Sequence, residues 1–296
     1  IGPFIAKYAG ALGNSLKVST CATSTAYTST LTGTYSVTAG STTVTGAGTA
    51  ANTEMRVGDF IVLDGRSTKV TAIANTTSLT IGSPHLTGAS GVTATRRWEF
   101  FDEFDGAPGT SLQAASLGAS GDEMHVVVVD KLGTITGTAN TVLEKYAFVS
   151  KAGNAKAENG GSNYYKDIIN DRSNWVWWAA HDNAGSNWGN TLPSTTYTAV
   201  TTPKAYSLAG GSDGNALTDG DRSTSYVLLA NKSEIPTSII VSGQATATVA
   251  NRIIADVAEV RKDVVVCVSP LRSNVVNNAG SEATSITAWA DTVTRS

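Results

Sequence analysis

The residues best suited to catalysis in this sequence are three histidines, His85, His125 and His181. Each could act as a general acid or base, or as a metal ligand, if suitable partners converged on it. His125 opens an apolar run, His85 follows Pro84 in a turn, and His181 precedes Asp182. No HExxH, GxSxG or CxxC pattern accompanies any of them. The sequence therefore predicts no enzyme, no metal site and no cofactor.

The two cysteines, Cys21 and Cys267, lie far apart, and each falls in an apolar, strand-like run. Such cysteines commonly behave as small hydrophobic residues. A disulfide framework would instead need a larger, even set of cysteines in a short chain. We therefore expect both thiols to be buried and reduced.

A loop rich in glycine and carboxylates, GGSDGNALTDGD, spans 210–221. It lacks the GK[ST] ending of a phosphate-binding loop, and it has neither the carboxylate spacing nor the final glutamate of an EF-hand. Thr218 and Asp221 have the spacing of a capping box, which predicts a helix start here. A weak Ca²⁺ site remains an alternative for this loop.

A cluster of aromatic residues could form a stacking platform for a carbohydrate or a base. In a strand, alternation would place Trp175 and Trp177 on one face and Trp178 on the other. Aromatic residues are enriched in cores and in interfaces between proteins. We therefore favour core packing or inter-subunit packing for these five residues: Tyr164, Tyr165, Trp175, Trp177 and Trp178.

The composition of the chain argues against two classes of protein, nucleic-acid-binding proteins and proteins inserted in a membrane. Apolar residues make up 41% of the 296 residues and charged residues only 15%, and the formal net charge is −3. No basic stripe exists that could follow a phosphate backbone, so we expect no nucleic-acid partner. No apolar run is long enough to span a bilayer and no signal peptide is visible, so we expect no membrane insertion.

The chain lacks an initiating methionine, and we expect it to be a fragment of a larger polypeptide.

Residues 23–97 differ in texture from the rest of the chain. Short β-branched runs alternate there with Gly, Asn, Asp and Pro turn signals, at spacings of roughly 8–12 residues. This pattern predicts a small all-β barrel or sandwich. The stretches before and after 23–97 show a different sequence pattern. We therefore interpret 23–97 as a module inserted into a discontinuous domain formed by 1–22 and 98–296.

The remainder of the chain alternates between strand-like and helical patterns. Four continuous apolar runs (125–130, 175–178, 238–241 and 264–268) predict the central strands of one sheet, and the irregular stretch 99–122 reads as a surface loop. Helical spacing appears in 162–173 and again in 244–261. Alternation of this kind predicts an α/β fold, a two-layer sandwich with mainly parallel central strands. In the second helix, the face expected to be buried carries Val249, Ile253, Val257 and Val260.

Several long segments, in the same order along the chain, resemble the tail sheath proteins of T-even-like myophages and their marine relatives. They cover nearly all of 1–20 and 99–296, whereas 23–97 has no counterpart. The matching segments are AKYAGALGNSLKVS (6–19), FDEFDGAPGTS (101–111), 122–152, the pairing of NYYKDIIN with WVWW (163–178), SLAGGSDG (207–214) and EVRKDVVVCVSPLRSNV (259–275).

The resemblance implies a structural protein of the virion. Such proteins assemble in the host cytoplasm as stacked six-fold rings around a tail tube. They contract without nucleotide and so drive the tube through the host envelope. Sheath subunits would be the partners, whereas the portions that contact the tube and the baseplate would lie outside this sequence. A carbohydrate-binding surface or phage adhesin is the competing hypothesis, and a hydrolase is the third.

Overall fold

The chain divides into two units after Asp213, and the structure, a computed structural model, describes residues 2–293. The first unit consists mostly of strands. Its helices are short: α1 (Ser24–Tyr27), α2 (Ala51–Glu54), α3 (Leu112–Ser116) and α4 (Tyr165–Arg172), with 3-10 turns at Ala11–Ser15 and Phe101–Glu103. Its strands are β1 (Phe4–Ala6), β2 (Leu16–Cys21), β3 (Thr28–Thr30), β4 (Thr34–Val37), β5 (Ser41–Ala47), β6 (Phe60–Leu63), β7 (Arg66–Asn75), β8 (Ser78–His85), β9 (Ala89–Val92), β10 (Thr95–Arg97), β11 (Glu123–Asp130), β12 (Thr141–Ser150), β13 (Val176–Trp178) and β14 (Lys204–Ser207).

Strand β11 is the centre of the first unit. It lies in a four-stranded sheet of order β12-β11-β2-β14, and every pairing in that sheet is antiparallel. Val126 and Val128 face one hydrophobic core, whereas Val127 and Val129 face another. Burying each valine stabilises the fold by roughly 1.5–3 kcal/mol at most. The apolar run is therefore covered on both faces, as the sequence predicted.

Residues 28–97 form a separate eight-stranded sheet of order β3-β10-β6-β7-β8-β5-β4-β9, which curls into a half-barrel. All of its strand pairings are antiparallel. It encloses its own core, which includes Tyr35, Val44, Ile61 and Leu79. Two short helices, α1 and α2, accompany these strands, and the first and last strands of the sheet segment, β3 and β10, pair directly with each other.

The segment after β10 is more than the surface loop expected for 99–122. Phe100 and Phe104 are buried beside Trp98, which is the largest fully buried side chain of the chain's described part. The Trp98 indole nitrogen donates a hydrogen bond to the Ser19 hydroxyl at 3.0 Å. This aromatic group covers the second face of β11, so part of the segment expected to be a surface loop belongs to the core.

The second unit contains two strands, β15 (Ile239–Gln244) and β16 (Val265–Ser269), which pair in parallel. The segment between them crosses over as a helix, and further helices pack on the same side. The helices are α5 (Asp219–Val227), α6 (Ala247–Ile253), α7 (Glu259–Arg261), α8 (Arg272–Val275) and α9 (Glu282–Thr292), with a 3-10 turn at Leu228–Ala230 and a π turn at Ile254–Ala258.

The π turn changes which face of the crossover helix is buried. Val249, Ile253 and Val257 are buried as predicted, but Val260 is 63% exposed. An extra residue in one turn rotates everything after it by about 100°. Arg261 takes the inward position instead, and its guanidinium donates hydrogen bonds to the carbonyl oxygens of Leu229 and Ile235, both at 2.9 Å.

The predicted two-layer α/β sandwich with mainly parallel strands is wrong. The four apolar runs expected in one sheet lie in three: β11 in the four-stranded sheet, β13 paired with β1, and β15 with β16. Among the named strands in the described part of the chain, parallel pairing is confined to the last of these. A continuous apolar run is typical of a buried strand, but it does not show the direction of neighbouring strands.

The two cysteines differ in environment. Cys21 is buried, as predicted, and burial raises its pKa to about 12. Cys267 is exposed, which contradicts the prediction. The reason is that β16 has one covered face and one bare face, and Cys267 lies on the bare one. Both thiols are free.

Candidate functional site

The tryptophan-rich segment begins at a turn fixed by Ser173. The Ser173 hydroxyl accepts hydrogen bonds from the backbone nitrogens of Trp175 and Val176, at 3.1 and 3.0 Å. It donates in turn to a carboxylate oxygen of Glu144 at 2.7 Å. Helix α4 ends at this turn and β13 starts after it. The predicted helix at 162–173 is thereby confirmed, with Ile169 fully buried.

Strand β13 pairs antiparallel with β1, so that Ile5 lies opposite Trp177. Alternation places Val176 and Trp178 towards the core and turns Trp177 outward, where it is 47% exposed. Trp175 is partly buried and packs against Tyr8, with ring centroids 5.5 Å apart and the ring planes tilted by 48°. We call the exposed surface formed by Ile5, Tyr8, Trp175 and Trp177 the tryptophan face.

The other aromatic residues predicted from the sequence lie behind this face. Tyr164 and Tyr165 are buried, and the Trp178 indole nitrogen donates a hydrogen bond to the Tyr165 hydroxyl at 3.0 Å. The Tyr165 hydroxyl lies 2.6 Å from Nδ1 of His181 and can donate its proton to that nitrogen. Burial, reinforced by Lys166, lowers the pKa of His181. A neutral imidazole is the form that can accept this bond.

A groove of about 890 Å³ borders the tryptophan face. Its walls come from the N-terminal segment, including Phe4, Ile5 and Tyr8, and from strand β14 and the residues after it, including Tyr206 and Leu208. The walls present mainly apolar side chains. The groove lacks the convergent acid, base and nucleophile that a catalytic pocket needs.

The three histidines occupy separate structural positions. Nε2 of His125 lies 2.9 Å from the Gly106 carbonyl oxygen, and its Nδ1 accepts a hydrogen bond from the Phe148 backbone nitrogen at 3.1 Å. Nε2 of His85 lies 3.3 Å from the Leu63 carbonyl oxygen, in the core of the half-barrel. His125 thus fixes the loop at Gly106, His85 contacts the end of β6, and His181 contacts the Tyr165 hydroxyl.

The carboxylates of the 210–221 loop are each bonded to the protein. Asp213 accepts a hydrogen bond from the Ala11 backbone nitrogen at 2.7 Å. Asp219 accepts one from the Thr246 hydroxyl at 2.5 Å. Thr218 and Asp221 form the predicted capping box at the start of α5. The helix-capping interpretation is confirmed, and no group of three or more His, Cys, Asp or Glu within 2–293 is placed to hold a metal ion.

The first unit buries several charged side chains that the sequence did not predict, among them Lys151 and Asp130. The Lys151 ammonium, fully buried, donates hydrogen bonds to the carbonyl oxygens of Ala22 and Gly121, both at 2.6 Å, and of Glu123 at 2.9 Å. Burial lowers its pKa to about 8. Nothing in the local sequence distinguishes Lys151 from an exposed lysine.

Asp130, at the end of β11, is another of these buried charges. Burial would raise its pKa, but hydrogen bonds from the Ser15 hydroxyl, Thr136 and the Ile135 backbone nitrogen outweigh that effect and lower it to about 2. The backbone bonds to Ile135 and Thr136 measure 3.0 and 2.8 Å. An aspartate that closes an apolar run just before a glycine-containing turn is the signal that could have found it.

Comparison with known proteins gives one informative match. No family model matches the chain, and no solved structure matches it. A tail sheath protein of Salmonella phage ViI is 26% identical over 162 residues. The alignment covers 55% of this chain but only 22% of that protein, so it concerns about a fifth of the relative's length. The chain is thus distantly similar to a phage tail sheath protein.

The helices described within 2–293 are too short or too polar to cross a membrane.

Proposed function

We propose that this chain is part of the structural subunit of a contractile phage tail sheath of the T-even-like type. The observation that carries the proposal is the similarity to a phage tail sheath protein over 55% of the chain. The similarity gives a structural role in a phage tail; contraction and the T-even-like type are our extension of it. On this proposal the chain has no enzymatic activity and needs no cofactor.

The geometry of the aromatic residues supports a role in assembly. On the inner side of β13, Tyr165 packs against both Tyr164 and Trp178. The strand that carries Trp177 therefore has rigid support. Half-exposed tryptophan and tyrosine side chains on a rigid support are typical of the energetic centre of a protein interface. We therefore assign core packing to these three residues and inter-subunit packing to Trp175 and Trp177.

The same proposal implies how the subunits are arranged in the larger assembly. Sheath subunits stack in six-fold rings around a tail tube in the virion, after assembly in the host cytoplasm. Contacts with the tube and the baseplate are made by other parts of the subunit. Contraction releases energy stored when the extended lattice is assembled, and it needs no nucleotide.

Self-association of the purified chain tests the proposal. We expect sedimentation velocity at increasing concentration to show assemblies larger than a monomer, because a sheath subunit carries its own binding surfaces. Replacing Trp177 by alanine should raise the concentration needed for assembly about tenfold or more. As a matched control, Trp188→Phe changes a buried tryptophan and should leave assembly unchanged. A wild-type chain that stays monomeric at every concentration would contradict the proposal.

One feature favours a second candidate function, carbohydrate binding by the half-barrel. An open groove of about 590 Å³ on this sheet is lined by hydroxyl side chains, among them Ser36, Thr38, Thr43 and Thr87. Hydroxyl groups can both donate to and accept from a sugar. A glycan array probed with the chain distinguishes the candidates, because binding that is lost in Thr43→Val and kept in Trp177→Ala would support the adhesin.

A further inference from the structure

Two unpaired strand edges line the apolar groove of the first unit. Within 2–293, strand β1 pairs with β13 alone, and β14 is an outer strand of the four-stranded sheet, next to β2. One wall of the groove includes Phe4 and Ala6 of β1, and the other includes Ala205 and Ser207 of β14. The groove therefore differs from a merely apolar surface, because its walls carry backbone groups that a neighbouring strand would use.

The backbone of β1 alternates between β13 and the groove. The Lys7 nitrogen donates a hydrogen bond to the Trp175 carbonyl oxygen at 2.8 Å. In an antiparallel pair, the residues that exchange hydrogen bonds recur at every second position. Ile5 therefore also bonds towards β13, whereas the backbone groups of Phe4 and Ala6 point to the other side, which is the side of the groove.

The backbone of β14 alternates in the same way. The Leu208 nitrogen donates to the Leu16 carbonyl oxygen at 2.9 Å. Tyr206 therefore bonds towards β2, and the backbone groups of Ala205 and Ser207 point towards the groove. Among the described residues, no backbone hydrogen bond reaches the outward groups of either strand.

The side chains of the groove limit what it can accept. The Phe4 and Tyr206 rings bring the two walls together, with ring centroids 5.9 Å apart. The walls meet again where Gly211 packs on Gly10, since a Cβ at Gly211 would lie 2.1 Å from the Gly10 carbonyl oxygen. Among the described residues that line the groove, the charged one is Lys7, and its ammonium already donates to two backbone carbonyl oxygens. A matching occupant is uncharged and partly apolar.

The unpaired backbone groups identify the class of occupant as an extended polypeptide. Such a chain carries N–H and C=O groups along both of its edges, in the spacing that a strand edge needs. An occupant placed between two strand edges must have both of its own edges free. Every named strand of the described chain already pairs with at least one neighbour, so none of these strands in a second copy fits.

We propose that the groove binds an extended, uncharged peptide segment of a partner protein, which lies between β1 and β14 and bonds to the backbone of both. The inference is independent of the proposed function, because this partner is not a second copy of the chain. At about 3.3 Å per residue, a segment of about five residues follows the wall from Phe4 to Tyr8. Its side chains alternate, and the apolar ones face the Phe4 and Tyr206 rings.

Selection from a random library of seven-residue peptides, with the 296-residue chain as target, tests the proposal. We expect enriched peptides without charged residues. Each should bind Ser207→Pro about tenfold or more weakly than wild type, because proline removes a groove-facing N–H and leaves the Leu208–Leu16 hydrogen bond in place. Ser207→Ala is the matched control: it keeps the N–H and should bind within about twofold of wild type. If no enriched peptide distinguishes wild type from Ser207→Pro, the proposal is wrong.

N-methylated versions of an enriched peptide test the geometry without altering the protein. A peptide between two strands directs successive N–H groups to one wall and then to the other, so methylation of any central N–H should weaken binding about tenfold. Methylation at the last residue should change binding less than about twofold. If only every second position mattered, the peptide would pair with one wall and the two-sided contact would be wrong. Weaker self-association of Ser207→Pro in sedimentation velocity would also overturn the proposal, since it would identify the occupant as a second copy.

Discussion

The Lys7 ammonium lies 3.8 Å from the centre of the Trp177 ring. The same nitrogen donates a hydrogen bond to the Asn170 carbonyl oxygen at 3.2 Å and another to that of Ser173 at 2.5 Å. The Lys7 side chain therefore connects the end of strand β1 to the end of α4, and its ammonium holds the exposed Trp177 ring in place. A cation placed over an indole contributes about 0.5–1 kcal/mol at an exposed site.

Lys7→Met should free the Trp177 ring. We expect acrylamide to quench the tryptophan fluorescence of this variant more strongly than that of the wild type, with a loss of about 1 kcal/mol in the free energy of unfolding. Lys232→Met, which removes an exposed lysine of the second unit, is the control. Equal quenching of wild type and Lys7→Met would show that Lys7 does not position the ring.

Lys151 makes stability depend on pH in a defined direction. Its pKa is about 8 in the folded chain, whereas an amine in the unfolded chain titrates near about 10.4. Between these values the unfolded state binds more protons, so this group makes stability rise as the pH is raised from 8 to 10. Lys151→Met lacks that rise and leaves three carbonyl oxygens without a donor. We expect it to lose about 2 kcal/mol at pH 7, and we expect the deficit to grow towards pH 10.

Urea titrations of both proteins at pH 7, 8, 9 and 10 measure this effect. Other groups also contribute in this range, such as Cys21, whose thiol titrates near about 8.5 only in the unfolded chain. The comparison with the variant removes their contribution. If the two stability curves ran parallel from pH 7 to 10, Lys151 would not titrate as described.

What could be predicted from the sequence was decided by patterns that span a few residues. The Thr218–Asp221 capping box and the apolar run that became β11 each follow from local rules, and both are confirmed. The direction of the strands beside β11 depends on pairing with β2, more than 100 residues away, which no local pattern encodes. The sandwich prediction failed for that reason.

In the candidate functional site, too, local patterns predicted some features and could not predict others. Alternation in β13 correctly separated Trp177 from Trp178, because side-chain direction in a strand has a period of two. Lys7 and Tyr8 were missed, since they meet Trp177 and Trp175 only through the pairing of β1 with β13. The exposure of Cys267 was missed because an apolar run does not reveal that one face of a strand pair is bare.

Arg261 should be essential to the second unit. Its guanidinium is buried and donates to the carbonyl oxygens of Leu229, Ile235 and Thr237, and it pairs with Asp263 at 2.9 Å. Arg261→Leu leaves those oxygens unsatisfied, so we expect a loss of about 2–4 kcal/mol in that unit's free energy of unfolding.

Hydrogen exchange of amides in 214–293 measures that loss. Arg252→Leu provides the control, because Arg252 is 61% exposed and its pair with Asp256 lies on the surface. Such pairs contribute about 0.5 kcal/mol or less. Equal loss of protection in the two arginine variants would show that the buried contacts of Arg261 are not what stabilises the unit.

The half-barrel should be removable, as expected of the module we proposed at 23–97. Thr30 and Thr95 are partners in the β3–β10 ladder, so a short Gly/Ser linker can join them in place of 31–94. We expect this shortened chain to keep cooperative thermal melting, because the half-barrel has its own core. Replacing 24–96 instead removes Ala26, Tyr27 and Arg96, which lie against the Trp98 cluster or bind α1, and it should broaden the melt. Loss of cooperativity in the first variant would show that the half-barrel belongs to the core fold.

Immunogold electron microscopy tests most directly our proposal that the chain is part of a phage tail sheath. Antibodies raised against the purified chain are applied to the phage particles that carry this protein, in extended and contracted states. We predict gold particles along the whole length of the tail, at regular intervals, and on the shortened tail after contraction. Label confined to tail fibres, to the baseplate or to the capsid would contradict the account.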